Sequence, residues 1–158
     1  VVITGESGIG KSETALELVK KGHYLVSDDR VDISFVRNKL IGRAPELLHN
    51  MIEVRGIGII DVSKMFGINA IADQMPIDLV VKLVRMNSLE DLERLGTTAT
   101  SFDILGQKVT MITIPVSGAR SICDIIEVAV TNYKLKKTGY DSTYEFEERL
   151  NELLRRGR

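Results

Sequence analysis

The start of the chain alternates between apolar segments and polar loops in the order expected of a strand, a helix and a second strand. Residues 1–4 are all β-branched and predict a strand that ends at Gly5. A helical pattern begins at Lys11 and stops at Gly22. Its buried side is predicted to carry Ala15, Leu16, Leu18 and Val19. Residues 24–26 predict a second buried strand, so we expect a βαβ unit with parallel strands.

The middle of the chain consists of short apolar segments separated by turn residues, a pattern typical of strands. We predict strands at residues 31–35, 39–41, 57–62, 77–84, 102–105 and 108–116, a short helix at 45–51 and a hairpin turn at 105–108. Two helical patterns close the chain: residues 120–137, and a segment that opens with a capping-box sequence from Ser142 to Glu145. The predicted fold class is therefore α/β, with a mixed sheet flanked by helices and two C-terminal helices.

Composition and charge narrow the class of protein. The 158 residues, 44% hydrophobic and 27% charged, are typical of one globular domain spanning residues 1–158. Apolar runs are far shorter than the roughly 18 residues of a membrane span, and a net charge of −1 offers nucleic acid no electrostatic attraction. With Cys123 as its one cysteine, the chain forms no intrachain disulfide, which fits a reducing cytoplasm. Because the sequence begins at Val1 inside a predicted strand, we expect the protein to extend further at its N-terminus.

The loop after the first predicted strand matches the phosphate-binding motif G-x-x-x-x-G-K-[ST]. Its residues are Gly5, Glu6, Ser7, Gly8, Ile9, Gly10, Lys11 and Ser12. Glycines permit a tight turn whose N–H groups point at phosphate oxygens, and the following helix directs its positive end at the same anion. In such loops the lysine neutralises the β and γ phosphates, and the serine hydroxyl coordinates Mg²⁺. A ligand-free glycine-rich turn is the alternative, but the flanking strand and helix favour a P-loop-containing sheet.

Two carboxylates, Asp28 and Asp29, follow the second predicted strand. In a parallel sheet this position lies at the same crevice as the phosphate loop. One carboxylate is expected to face the γ-phosphate and the other to orient Mg²⁺ or its waters, because adjacent strand residues point opposite ways. The pattern does not decide which is which, and two solvated turn aspartates remain the alternative.

A second unusual stretch extends from Glu53 to Asp61. Glu53 and Arg55 are predicted to share one strand face, ahead of Gly56, Gly58 and a buried apolar run. Glycines in a strand indicate that the backbone approaches a ligand or another chain closely. A surface ion pair before a bulged core strand explains the pattern equally well.

Other charged residues are weaker candidates. Arg94 precedes a predicted turn and is more typical of a solvated arginine than of a phosphate ligand. Arg120 stands at the start of a predicted helix, where the helix dipole disfavours a cation, so an anion-binding role is considered. His23 and His49 have no metal-ligand spacing around them and are expected to be structural.

With these residues in view, the chain resembles the C-terminal catalytic domain of bacterial HPr kinase/phosphorylase over nearly its whole length. The matching segments are residues 5–18, 26–31, 52–62, 94–96, 114–116 and 125–129. The stretch at 52–62, with its pattern E-[IV]-R-G-[IL]-G-I-I, is far more specific than the phosphate loop, which many ATPases share.

The resemblance implies a bifunctional enzyme. It would phosphorylate a serine of the phosphocarrier protein HPr with ATP or pyrophosphate and Mg²⁺, and remove the phosphate by phosphorolysis, regulating carbon catabolite repression. It also implies a homohexamer whose C-terminal helices reach a neighbour and the partner protein. The apolar and basic side chains of residues 146–156 agree with such contacts, although a core-packing helix with a solvated basic end explains them about as well.

The resemblance further implies roles for single residues. Lys11 and the loop backbone would hold the phosphates, and Ser12 and Glu53 would bind Mg²⁺. Asp29 would accept the proton of the substrate serine and return one in dephosphorylation, with Asp28 assisting.

Three arginines complete the implied site. Arg55 belongs to the stretch needed for both phosphorylation and dephosphorylation. Arg94 would stabilise the negative charge on the phosphoryl group during transfer. Residues 115–120 correspond to a segment important for phosphorolysis, of which Arg120 is the surviving cation because Ser117 replaces the family's first basic residue. The family's catalytic histidine lies upstream of the loop, before this sequence begins.

Two other functions are weighed. A small-molecule or nucleotide kinase would need an arginine-rich lid, which the strand-rich middle does not display. A non-catalytic nucleotide-binding regulator would use the phosphate loop to sense ATP without transferring phosphate.

Overall fold

The computed structural model describes residues 1–86, 99–118 and 120–157, which fall into two units, Val1–Ile125 and Ile126–Arg158. The strands are β1 (Val2–Thr4), β2 (Asp32–Val36), β3 (Lys39–Arg43), β4 (Met51–Val54), β5 (Gly58–Asp61), β6 (Gln74–Pro76), β7 (Leu79–Arg85), β8 (Thr100–Ile104) and β9 (Gln107–Val116). The helices are α1 (Lys11–Lys20), α2 (Val62–Phe66), α3 (Ile122–Lys137) and α4 (Ser142–Arg156), with 3₁₀ turns at Glu46–Leu48 and Ile68–Ala70. No helix in these described segments is long and apolar enough to cross a membrane.

The main sheet of the first unit is mixed and has the strand order β1-β7-β9-β8. β1 pairs in parallel with β7, β7 in parallel with β9, and β8 antiparallel with β9. β7 is the most deeply buried strand, since Leu79, Val80, Val81 and Leu83 are at most 1% exposed. A strand in the interior of a sheet that is covered on both faces is expected to be apolar in this way. The predicted α/β class with a mixed sheet is confirmed.

The predicted βαβ unit is wrong in its second strand. Residues 24–26 form no strand; Leu25 makes an isolated parallel bridge with Ile71, in which its N–H donates to Ala70 O at 2.9 Å. The parallel neighbour of β1 is instead β7, in the register Val2 to Val80. The order of segments along the chain suggested residues 24–26 as the strand beside β1, because Leu25 is apolar and buried like a strand residue. Leu25 instead packs in a cluster with Val19 and Ile52.

Among the described residues, two apolar clusters position the elements of the first unit. One joins α1, Leu25, β4 and α2, and its buried members are Val19, Leu25, Ile52, Val54, Val62 and Ala70. Because Leu25 and Ile52 lie in the same cluster, the residues that follow each of them are brought close together. The second cluster lies between β7, β9 and the antiparallel β2-β3-β6 sheet, with Leu40, Ile77, Val80, Ile104 and Val109 buried.

Most of the other predicted strands are confirmed with shifts of a few residues at their ends, but the segment at 57–62 is not as expected. Only Gly58–Asp61 is a strand, and α2 begins at Val62. Ile57 and Ile59 are 76% and 74% exposed, so the predicted buried run is wrong. The predicted helix at 45–51 is a single 3₁₀ turn followed by β4, which pairs with β5 as a hairpin.

The turn between β8 and β9 is confirmed as a two-residue hairpin. Ile104 pairs with Gln107, and the two residues between them, Leu105 and Gly106, have φ values of 49° and 76°. Positive φ at both central positions is the requirement of a type I′ turn, whose twist suits two antiparallel strands.

The two predicted C-terminal helices are confirmed, with different beginnings. α3 begins at Ile122, so Arg120 precedes the helix rather than opening it. α4 is capped by Asp141, whose side chain accepts a hydrogen bond from the Thr143 N–H at 2.9 Å; the expected capping box at Ser142 is therefore wrong. On α4 the apolar residues Phe146, Leu150, Leu153 and Leu154 are exposed.

Candidate functional site

The phosphate loop joins β1 to α1, and its conformation depends on glycine. Gly8 and Gly10 have φ values of 80° and 101°, in the left-handed region that other residues resist. Gly10 caps α1 and accepts hydrogen bonds from both the N–H and the hydroxyl of Thr14, at 3.0 and 2.8 Å. A Cβ atom on Gly5 would lie 2.9 Å from the Leu83 carbonyl oxygen. The loop therefore packs directly on β7 and closes onto the first turn of α1.

Lys11 folds back over the loop. Its Nζ donates hydrogen bonds to the carbonyl oxygens of Gly5 at 2.7 Å and Glu6 at 3.1 Å. These bonds hold the ammonium group at the loop, beside the N-terminus of α1, where backbone N–H groups have no intrahelical partner. A lysine charge and a helix N-terminus at one place attract a polyanion.

Asp28 links three segments that are distant in sequence. Its Oδ1 accepts a hydrogen bond from the Ser12 hydroxyl at 2.8 Å, and its Oδ2 accepts one from the Glu53 N–H at 3.2 Å. One half-buried carboxylate thus fixes the first turn of α1 against β4. This contact brings three residues predicted for the site together.

Asp29 has a different environment from Asp28. It is exposed and lies in the left-handed region, at φ 64°. The Arg30 N–H donates to the Asp28 carbonyl oxygen at 2.7 Å, so Asp29 is the central residue of a three-residue turn. Such conformations are strained for a residue other than glycine and occur often at functional sites. The two aspartates lie in a turn and not at the end of a strand, which corrects the prediction.

Arg55 also reaches the phosphate loop, although not from a strand. It lies in the turn between β4 and β5, so the prediction that Glu53 and Arg55 share a strand face is wrong. A Cβ atom on Gly8 would lie 3.3 Å from a terminal nitrogen of the Arg55 guanidinium. Gly56 and Gly58 have φ values of 82° and 107° and nothing within 4 Å of an added Cβ. Their left-handed conformations serve the turn, and the predicted close approach to a ligand or another chain stays a prediction.

Arg85, the last residue of β7, was not among the predicted site residues. Its Nε donates to Glu6 Oε1 at 2.8 Å and a terminal nitrogen donates to the Gly8 carbonyl oxygen at 3.1 Å. The available signal was a cation at the C-terminal end of an apolar strand. That signal becomes informative only when β7 is known to lie beside β1.

Two of the remaining candidates, Arg120 and His49, are not linked to this site by the contacts of the described residues. Arg120 is exposed, and no hydrogen bond or ion pair within the described segments links it to the phosphate loop. Arg94 lies outside the described residues. His49 is exposed and contacts Asp73, with 3.0 Å between Nε2 and Oδ1. His23 is exposed too, and among described residues no group of three or more His, Cys, Asp or Glu side chains could hold a metal.

The residues around Ser12 fit Mg²⁺ by the chemistry of their donors. Mg²⁺ prefers oxygen ligands, keeps several waters and is commonly held by one or two carboxylates together with substrate phosphates. A hydroxyl and a carboxylate already lie in contact beside the loop, and Glu53 is bound through its backbone to the same carboxylate. Ser12, Asp28 and Glu53 could therefore supply oxygen ligands.

Comparisons with known proteins identify the family of the chain. The family profile described as HPr Serine kinase C-terminal domain matches residues 1–150. An HPr kinase/phosphorylase of Alkaliphilus metalliredigens is 50% identical over 95% of this chain and 49% of its own length. One from Caldicellulosiruptor bescii is 47% identical over 99% of this chain and 51% of its own. The chain thus spans about half the length of the curated relatives that it matches.

A solved structure is similar in fold. The Hpr(Ser) kinase/phosphatase from Coxiella burnetii matches with a TM-score of 0.78 and 42% identity, over 92% of this chain and 89% of that one. Sequence and fold therefore agree along nearly the whole chain. The chain belongs to the HPr serine kinase C-terminal domain family.

Proposed function

We propose that the protein containing this chain is a bifunctional protein-serine kinase/phosphorylase. It phosphorylates a serine of the phosphocarrier protein HPr with ATP or pyrophosphate, and it removes that phosphate by phosphorolysis. The observation that carries the proposal is the hydrogen-bonded set of Ser12, Asp28 and Glu53 beside a complete phosphate loop, with Asp29 exposed next to it. The names of the relatives support the choice of HPr as acceptor.

In this proposal the phosphate loop binds the donor. The N–H groups of residues 5–12 and the Lys11 ammonium hold the phosphate oxygens, and Lys11 exchanges its bonds to Gly5 and Glu6 for bonds to phosphate. Ser12 and Glu53 hold Mg²⁺, with Asp28 orienting both. When bound, Mg²⁺ supplies positive charge that offsets the charge of the β- and γ-phosphate oxygens.

The division between the two aspartates follows from their contacts. Asp28 accepts hydrogen bonds with both carboxylate oxygens, so it is a positioning residue. Asp29 takes the proton of the substrate hydroxyl as the serine oxygen attacks the terminal phosphorus and the bond to the leaving phosphate breaks. In the reverse direction an oxygen of inorganic phosphate attacks phosphoserine, pyrophosphate forms, and Asp29 returns the proton to the departing serine oxygen.

Three cations complete the proposal. Arg55 lies close to Gly8 of the loop and would compensate charge on the transferring group, as would Arg94. Arg120 would serve phosphorolysis from the segment after β9. We further propose that the protein acts in the cytoplasm as a homohexamer and regulates carbon catabolite repression.

The test uses the full-length protein, purified HPr, Mg²⁺ and either labelled ATP or labelled pyrophosphate. Label on a serine of HPr, and its release as pyrophosphate on adding inorganic phosphate, are the expected results. Asp29→Asn should lower both rates by at least about a hundredfold, the usual contribution of a general base. Asp32→Asn, which alters an exposed carboxylate paired with Arg30, is the matched control. Label on a small metabolite, or binding without transfer, would contradict the proposal.

A further inference from the structure

An ion pair at the rim of the phosphate loop has no part in the function proposed above. It joins Glu6, the second residue of the loop, to Arg85, which lies 79 residues away in sequence. The Nε to Oε1 distance is 2.8 Å, and a terminal nitrogen of the same guanidinium donates to the Gly8 carbonyl oxygen at 3.1 Å. Arg85 thus contacts the loop on both sides of Ser7.

Glu6 poses an electrostatic problem for a loop that binds polyphosphate. Its carboxylate carries a negative charge within a segment whose N–H groups, lysine and helix N-terminus all attract anions. A like charge at this place opposes phosphate binding by Coulomb repulsion. The Arg85 guanidinium offsets that charge, and its bond to Gly8 draws the middle of the loop towards β7.

We propose that Arg85 is a positioning residue for polyphosphate binding. It neutralises Glu6 and fixes the left-handed backbone at Gly8, so that the loop keeps its form before the donor arrives. This inference rests on the proposed function, because it assumes that the loop binds ATP or pyrophosphate.

Arg85 is well placed for this role because it ends a strand in the interior of the sheet. Four of the seven residues of the strand are buried, and it pairs with β1 and β9 on its two edges. The backbone that carries Arg85 is therefore held by neighbouring strands on both edges. The Arg55 guanidinium, which approaches Gly8 from the turn after β4, lacks such an anchor within a strand.

The effect of Glu6 on donor affinity distinguishes this role from a direct contact between Arg85 and a phosphate. If Arg85 acted on phosphate itself, Glu6 would compete for it, and removing Glu6 would not restore what Arg85→Gln loses. If Arg85 acts by neutralising Glu6, then removing both charges should restore much of the affinity. The double variant therefore distinguishes positioning from direct binding.

The experiment measures the affinity of the full-length protein for Mg²⁺-ATP and for pyrophosphate by titration calorimetry. Arg85→Gln should weaken both about fivefold to thirtyfold, as expected from losing one exposed ion pair and one hydrogen bond. Glu6→Gln removes the opposing charge, so it should bind both donors at least as tightly as the wild type. The double variant should bind more tightly than Arg85→Gln and about threefold more weakly than the wild type, because the bond to Gly8 is still missing. Turnover at saturating donor should change less than about threefold, since Asp29 is untouched.

Two further variants keep the test decisive. Arg85→Lys retains the charge but not the two-point contact, so its affinity should lie between those of the wild type and Arg85→Gln. Lys108→Gln breaks an exposed ion pair with Asp103 in the β8-β9 hairpin and should leave donor affinity unchanged.

Several results would overturn the inference. Wild-type affinity in Arg85→Gln would remove any role for Arg85, while the proposed function would stand. A double variant as weak as Arg85→Gln would show that Arg85 does not act by neutralising Glu6, and would overturn the inference. A wild-type protein that binds neither donor would overturn the inference and the proposed function together.

Discussion

Replacing Asp28 by alanine tests the contact on which the site is built. The substitution removes the acceptor of the Ser12 hydroxyl and of the Glu53 N–H. Hydrogen bonds to charged groups contribute about 1.5–3 kcal/mol each, and the lower end applies because Asp28 is half-buried. We expect Asp28→Ala to lower the free energy of unfolding by about 2–3 kcal/mol. For a chain of this size, that change lowers Tm by roughly 5–10 °C.

Asp28→Asn should have a smaller effect. The amide keeps one oxygen, which can still accept from the Glu53 N–H, while its NH₂ group faces the Ser12 oxygen as a donor. We expect about half of the loss in stability, but a larger loss in Mg²⁺-dependent donor binding, because the NH₂ group cannot accept the hydrogen bond that orients Ser12 as a ligand for Mg²⁺. Thermal unfolding and calorimetric titration with and without Mg²⁺ separate the two effects.

A double-mutant cycle identifies the contact itself. If Asp28 acts through Ser12, the effects of Asp28→Ala and Ser12→Ala on unfolding should be non-additive by about 1 kcal/mol. Asp32→Asn is again the control, with an expected change below about 0.5 kcal/mol for an exposed pair. Additive effects, or an unchanged Tm in Asp28→Ala, would refute the bridging role.

Three further predictions concern residues outside this contact. Gly5→Ala should lower the free energy of unfolding by about 2 kcal/mol or more and weaken donor binding, because its Cβ would lie 2.9 Å from the Leu83 carbonyl oxygen. Gly118→Ala is the control in thermal unfolding, because nothing lies within 4 Å of a Cβ atom added at Gly118. Leu105→Asn should raise the free energy of unfolding by about 0.5 kcal/mol, since Leu105 has φ 49° in a type I′ turn that favours asparagine; an unchanged Tm would contradict the assignment of the turn. Burial raises the pKa of the Cys123 thiol to about 12, above the value of about 8.5 expected in the unfolded chain. The stability that the buried thiol contributes is therefore complete below about pH 8.5 and declines between about pH 8.5 and 12. Urea unfolding across this range should therefore show the wild type losing stability relative to Cys123→Ala, and a constant difference would contradict the raised pKa.

The phosphate loop and its helix could be predicted from sequence because they depend on neighbouring residues. Gly8 and Gly10 supply the left-handed conformations, and α1 begins at Lys11 as expected. The hairpin at Leu105 and Gly106 was predictable for the same reason. Where sequence reasoning failed, the pattern was compatible with two structures. Residues 24–26 are apolar enough for a strand, but β7 occupies the place beside β1.

The sequence by itself determined that the chain carries a phosphate loop between a strand and a helix and that acidic residues follow in a later segment. It also indicated the family, because the stretch at 52–62 is specific even where its structure was predicted wrongly. These features are local, and a contiguous run of residues contains all of their information.

Only the tertiary structure decided which side chains meet. Asp28 is separated from Ser12 by 16 residues and from Glu53 by 25, and Arg85 from Glu6 by 79. Their contacts depend on Leu25 and Ile52 sharing one apolar cluster and on β7 lying beside β1. Because burial is non-directional, apolar residues show that a segment is inside but not which segment it meets. Which segments meet depends on how segments far apart in sequence pack together. The separate roles proposed for Asp28 and Asp29 follow from that packing.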